Sequence, residues 1–216
     1  MSNNSVKADY PSELFGIKFL TNVKEYAGNK EILNVLNNID KFSKDELFYY
    51  LKKTDDGNIR LMTYEKDWGS KNDLKVKKDD LFNFYSVTAN KNFGIIEIRG
   101  LKDFEEKKEN FSNKCLKEKK KLLNEIEQKF QLNSTNFETN FYKIRGMFRE
   151  TTTINYEIKS TPVYLQIECF HTSGDKKITS QLILTLISKE RWEEMNEEIE
   201  FQKVNKITVE EMISSK

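Results

Sequence analysis

The chain is poor in the residues that most often announce a chemistry. It has one histidine, two cysteines, two prolines and eight glycines in 216 residues. One histidine and two separated cysteines are too few for a structural zinc site of Cys and His ligands. Neither the P-loop pattern nor the GxGxxG dinucleotide pattern occurs. A Ser–His–Asp or Cys–His mechanism would have to use His171, which stands two residues from Cys169 on one strand and so on the same, core-facing side. Lys and Arg number 36 against 35 Asp and Glu, a net charge of +1. That balance removes any bulk electrostatic signature of nucleic-acid or membrane binding. No run approaches transmembrane length, and Met1–Ser12 carries no apolar signal core. These absences point to a soluble, cytoplasmic protein that needs no cofactor and no metal. Cys115 and Cys169 are expected to be free, buried and structural.

What is present is aromatic and alternating. Fifteen Phe and nine Tyr argue for a packed core despite 33% charged residues. From Phe141 to Ile187 apolar and polar residues alternate with period two, as strands with one buried face require. Four strands are expected: Tyr142–Arg149, Thr153–Lys159, Val163–His171 and Lys177–Ile187. Turns at Glu150–Thr152, Ser160–Thr161 and Thr172–Asp175 have ordinary hairpin lengths. They put Arg145 opposite Glu157, Tyr156 opposite Leu165, Glu157 opposite Tyr164, and Leu165 opposite Leu182. Tyr142 and Phe148 share the core face in this register.

Ahead of the meander, Leu101–Leu132 reads as one long helix, with Phe104, Phe111, Cys115, Leu122 and Ile126 in its apolar stripe. Earlier still, Asn29–Ile39 has helical spacing. Ser43–Glu46 forms a capping box before a further helix to Lys53. Ile59–Lys66 reads as a strand, Asp67–Asp80 as an exposed loop, and Leu81–Thr88 with Asn92–Arg99 as a hairpin. An acidic helix, Ser188–Glu200, a short strand at Phe201–Val204 and a turn of helix at Thr208–Ile213 close the chain. The expected fold is α+β: a four-stranded antiparallel meander (about 142–187), with a long helix (about 102–131) linking it to a smaller α/β N-terminal half. The expected division is a flexible arm over 1–12, an N-terminal half over 13–132, and a C-terminal sheet with its acidic helix over 141–216.

Four constellations carry candidate function. The outward face of the meander presents Arg145, Arg149, Glu157, Tyr164 and Phe170, and Arg with Tyr suits a protein interface. On the long helix, Lys114, Lys117 and Lys121 share a face that can track phosphates. Helix, capped helix and hairpin over residues 29–66 follow the order of a winged helix, with Lys52 and Lys53 near the end of its recognition helix. Finally, Glu157-Ile158-Lys159 resembles the E-x-K element of the PD-(D/E)xK nucleases. That likeness implies a Mg²⁺ site using Glu157 with Lys159 helping the attacking water. The aspartate that precedes the element in that family is missing; only Glu138 and Glu150 lie near. The leading expectation is a non-enzymatic protein-binding molecule: an adaptor, inhibitor or accessory subunit with another protein as partner. The alternative is a nucleic-acid-binding protein, extending to a Mg-dependent nuclease.

Overall fold

The structure, a computed structural model, describes residues 10–43, 51–53, 57–63, 73–144, 147–196 and 202–214. Its frame is an antiparallel sheet of nine strands: β3 (Lys52–Lys53), β4 (Ile59–Met62), β5 (Phe84–Ala89), β6 (Ile95–Lys107), β7 (Glu138–Ile144), β8 (Met147–Ile158), β9 (Thr161–Ser173), β10 (Lys177–Ser188) and β11 (Gln202–Val204). They run in the order β11-β7-β8-β9-β10-β6-β5-β4-β3. A separate two-stranded ribbon, β1 (Glu13–Leu14) with β2 (Ile17–Lys18), precedes them. The helices are α1 (Lys30–Asn37), α2 (Lys114–Phe130), α3 (Lys189–Asn196) and α4 (Val209–Ser214).

This architecture corrects the expected fold class. The molecule is mostly sheet, and the four meander strands are not a module joined by a long helix. They are the middle and one flank of the nine-stranded sheet, because β10 pairs with β6 over eleven positions, from Lys177↔Lys107 to Ile187↔Glu97. That pairing claims Leu101–Lys107 as strand, where a helix was expected. The helix starts only at Lys114. Asn113 caps it by accepting the Leu116 N–H at 3.2 Å, and buried Glu106 accepts the Ser112 and Lys114 N–H groups at 3.0 and 2.9 Å. Burial pushes the Glu106 carboxyl up, but these donors and the Ser112 hydroxyl outweigh it and hold it below the usual range.

The register differs as well. β7 ends at Ile144, which pairs with Met147 at the start of β8, and β8 runs straight through Glu150–Thr152, where the threonine run Thr151–Thr153 favours strand. Lys159 and Ser160 both take left-handed backbone (φ 49° and 65°), forming the tight two-residue turn. Glu157 therefore faces Pro162 rather than Tyr164, and Leu165 faces Leu186 rather than Leu182. These shifts are even, so the inward set of β8 to β10 still lies on one face. Tyr142 does not: it pairs with Arg149, on the face opposite to Phe148.

The two faces of the sheet are covered differently. Helix α2 lies on one, with Cys115 and Ile126 buried among Leu165, Ile167, Cys169, Leu182 and Leu184. Cys115 and Cys169 are joined in a disulfide, Cα atoms 5.9 Å apart, which pins α2 to β9 and overturns the expectation of free thiols. Lys119 reaches the same face and donates to Glu150 Oε1 and to the Glu150 carbonyl, both at 3.0 Å. Phe15 lies over Gly100, where a Cβ would stand 2.5 Å from its ring; only glycine lets the ribbon dock there. Among the described residues the other face carries one helix, α3, with Trp192 edge-on to Tyr164 at 5.2 Å. Asn29 caps α1 by accepting the Ile32 N–H at 2.9 Å. Residues 44–50, which hold most of the expected capping box and the helix after it, and the first part of the expected loop (67–72) lie outside the described residues; Lys52 and Lys53 belong to a strand. Among the described residues no helix is long and apolar enough to cross a membrane.

Candidate functional site

The α3 face of the sheet mixes ion pairs and other polar groups with Phe170, Ile183 and Ile187. At one end, Glu97 is buried between Arg99 (2.9 Å) and Arg60 (3.4 Å) and accepts from the Thr88 hydroxyl at 2.7 Å. Burial pushes its carboxyl up. Arg99 and Arg60, with Thr88 and Arg191 behind them, outweigh that and keep it below the ordinary range. Towards the middle, Glu168 is held by Arg149 and by the Thr151 hydroxyl. Pairing explains how two carboxyl groups are accommodated at 1% and 4% exposure.

Helix α3 crosses this face without sealing it. A cleft of about 330 Å³ opens on one side of Trp192, towards Tyr142, Asn155 and Lys203. A second of about 240 Å³ opens on the other side, towards Arg99, Thr185 and Phe170. Arg149, Gln166, Trp192 and Asn196 line both, so they form one trough. The size suits a small ligand or an inserted side chain.

Three polar atoms in this trough are buried and have no hydrogen-bond partner among the described residues: Arg99 Nε, Thr185 Oγ1 and Trp192 Nε1. Arg99 and Thr185 are direct cross-strand neighbours, and Thr185 in turn faces Gln166. Thr185 is only 1% exposed. Native proteins rarely leave such groups unpaired, because each costs about 1–3 kcal/mol. Two of the three can only donate. The trough is therefore built for something that brings acceptors.

The residues expected from sequence separate on this geometry. Arg149, Tyr164 and Phe170 share the trough face, and Arg149 is ion-paired to Glu168. Glu157 is exposed at the end of β8 and lines neither cleft; Arg145 is outside the described residues. Lys159 sits in the turn, and Glu168 pairs six positions along β9 from the partner of Glu157, about 20 Å away. Glu157, Lys159 and Glu168 are therefore not brought together. Lys114, Lys117 and Lys121 are all exposed on α2, and Lys121 is spent on Glu118 at 2.7 Å. Sequence reading missed Arg99, Thr185 and Trp192. Arg99 and Thr185 had a signal: each is a polar residue in an otherwise apolar strand run, in phase with the outward face. Trp192 was read as the inner side of an acidic helix, which it is, but on the polar face.

A larger cavity, about 490 Å³, lies between the N-terminal segment and α2, lined by Phe15, Phe82, Ile126 and Phe130 among others. It holds none of the unpartnered buried polar atoms. No family model, no curated protein and no solved structure matches the chain. The trough is thus read from its own chemistry.

Proposed function

We propose that the protein is a non-catalytic binding protein that takes a partner protein on the α3 face, the partner inserting an acidic side chain or chain-terminal carboxylate beneath Trp192. The observation that carries this is the set of three unpartnered buried donors, Arg99 Nε, Thr185 Oγ1 and Trp192 Nε1, in one trough. Charge supports it. Arg60, Arg99 and Arg191 stand around Glu97, and Arg191 is paired to Glu194, so three guanidiniums meet two carboxylates there. The rim residues Tyr142, Arg149, Tyr164 and Trp192 are of the types that dominate binding energy at protein interfaces. Catalysis has no such support: Glu168 is tied by Arg149 and Thr151, and the one histidine is on the opposite face.

Panning a random displayed-peptide library against the full chain tests this. The expected winners carry Asp, Glu or a free carboxyl terminus, and Trp192→Ala weakens them by tenfold or more. Lack of enrichment, or peptides that bind Trp192→Ala equally well, contradicts the proposal. A cytoplasmic location belongs to the same reading and has its own check. Alkylation of freshly lysed cells traps Cys115 and Cys169 as thiols in a reducing compartment and leaves them bonded in an oxidising one.

A further inference from the structure

On the α2 face a second polar cluster lies beyond anything the trough uses. Cys115, in the first turn of α2, and Cys169 and His171, which alternate on β9 and so point the same way, bring their ligand atoms within 4.8 Å of one another. All three are buried, at 0%, 0% and 2% exposure. His171 Nδ1 lies 2.7 Å from the Ser180 hydroxyl, while Nε2 is buried with no partner among the described residues. A hydrogen bond at one ring nitrogen orients the ring and frees the other nitrogen as a ligand, the usual arrangement of a metal-bound histidine.

We propose that, once the Cys115–Cys169 disulfide is reduced, the two thiolates and the His171 imidazole bind one zinc ion. Tetrahedral zinc with bonds of about 2.3 Å to sulfur and 2.0–2.1 Å to nitrogen places its ligand atoms roughly 3.5–3.8 Å apart. The imidazole is within about an ångström of that already, and the sulfurs need only part from bonding distance. Charge favours zinc in so buried a place: two thiolates and Zn²⁺ sum to zero, and a neutral imidazole adds nothing. The chemistry balances. A dithiol reductant gives two electrons and two protons to the disulfide, becoming a cyclic disulfide itself and leaving two thiols. Zinc then displaces both thiol protons to solvent. Three protein ligands leave the fourth position to a solvent molecule. The same pair thus serves as a staple when oxidised and as a metal site when reduced, and it needs none of the trough residues.

Cobalt(II) in place of zinc makes the site visible. The full chain, reduced with a dithiol and desalted without oxygen, is titrated with Co²⁺ alone. The expected result is one equivalent bound with thiolate-to-cobalt charge-transfer absorption, abolished by zinc and absent from the oxidised protein. His171→Ala is expected to weaken binding at least tenfold. His171→Cys is expected to keep it and raise the charge-transfer intensity by about half, three thiolates replacing two. No charge-transfer band in the reduced protein overturns the proposal, as does His171→Ala binding as tightly as wild type. If His171→Ala does not fold, unchanged intensity in His171→Cys overturns it instead.

Discussion

The two faces of the large sheet are made by the same strands, residue by residue in alternation, yet they are finished in opposite ways. The α2 face is closed. Leu165, Leu182 and Leu184 meet Ile126, a disulfide locks the contact, and the ionic group there, Lys119, is satisfied twice by one residue. The α3 face is open. Its ion pairs are made, but three donors beside them are not. On the α2 face the unpartnered buried groups among the described residues, His171 Nε2 and Asn113 Nδ2, lie within two residues of the disulfide cysteines, whereas the α3 face gathers three in one open trough. That difference, more than any single residue, is what the proposed binding role rests on.

The largest expected effect breaks the closed face. Cys115 and Cys169 close a loop with a sequence separation of 54, which the chain-entropy model values at about 4 kcal/mol. Cys169→Ser is expected to lose about that much in urea unfolding. A loss below ~1 kcal/mol would mean that α2 is held by packing alone.

Acid should act on the same face. Burial lowers the His171 pKa to about 4, with Glu106 opposing and Lys119 adding to the fall. In the unfolded chain the imidazole titrates near about 6.5. Between these values the unfolded state binds more protons, so stability is full above about pH 6.5, falls as pH drops and levels off below about 4. The span corresponds to about 3 kcal/mol at 1.36 per unit. Because the chain has one histidine, this is clean: His171→Gln should flatten the pH dependence of unfolding between about pH 5 and 7. An equally steep profile in that variant would show that another group is responsible.

A smaller effect belongs to the buried ion pair. Burial lowers the Lys119 pKa, and Glu150, then Glu168, push it back. Glu150→Ala should cost about 2 kcal/mol by leaving the ammonium unpaired, while Lys119→Met should be close to neutral. Equal losses in both would mean that the pair itself, not the cost of orphaning a charge, stabilises α2.

The smallest effect sharpens the open face. Thr185→Val removes a buried hydroxyl that bonds to nothing described, so stability should stay within about 0.5 kcal/mol of wild type or rise. Peptide binding in the trough should nevertheless weaken severalfold. A loss of 1 kcal/mol or more in stability would show that the hydroxyl has a structural partner.

How much of this could be read from the residues follows from what each signal encodes. Period-two alternation in β9 and β10 names a face, and the even register shifts kept Leu165 and Leu186 on it despite the wrong partners. Residues 142–149 were read as one strand, whereas β7 ends at Ile144 and pairs with β8 from Met147 on, so Tyr142 was put on the wrong side. Phe104 and Phe111 sit at helical spacing by coincidence. What decides that Leu101–Lys107 is strand is its partner β10, some eighty residues on, which no local pattern reports. The cap at Asn113, which marks the true helix start, went unread. The bond between Cys115 and Cys169 was not legible, because only the sheet brings them together. For the site, the outward phase of Arg149, Tyr164 and Phe170 came from alternation. Arg99 was invisible as a neighbour, since it reaches the trough only through β6 pairing with β10.

The most direct test watches the unpartnered donors themselves. Arg99 Nε–H and Trp192 Nε1–H each give a resolved side-chain signal in a ¹H–¹⁵N spectrum, assignable with Arg99→Lys and Trp192→Phe variants. Adding a peptide selected for binding is expected to move both signals, along with the Thr185 and Gln166 amides, while the amides of α2 stay in place. Shifts confined to α2 and the N-terminal segment, with the two side-chain signals unmoved, would contradict the assignment of the α3 trough as the binding site.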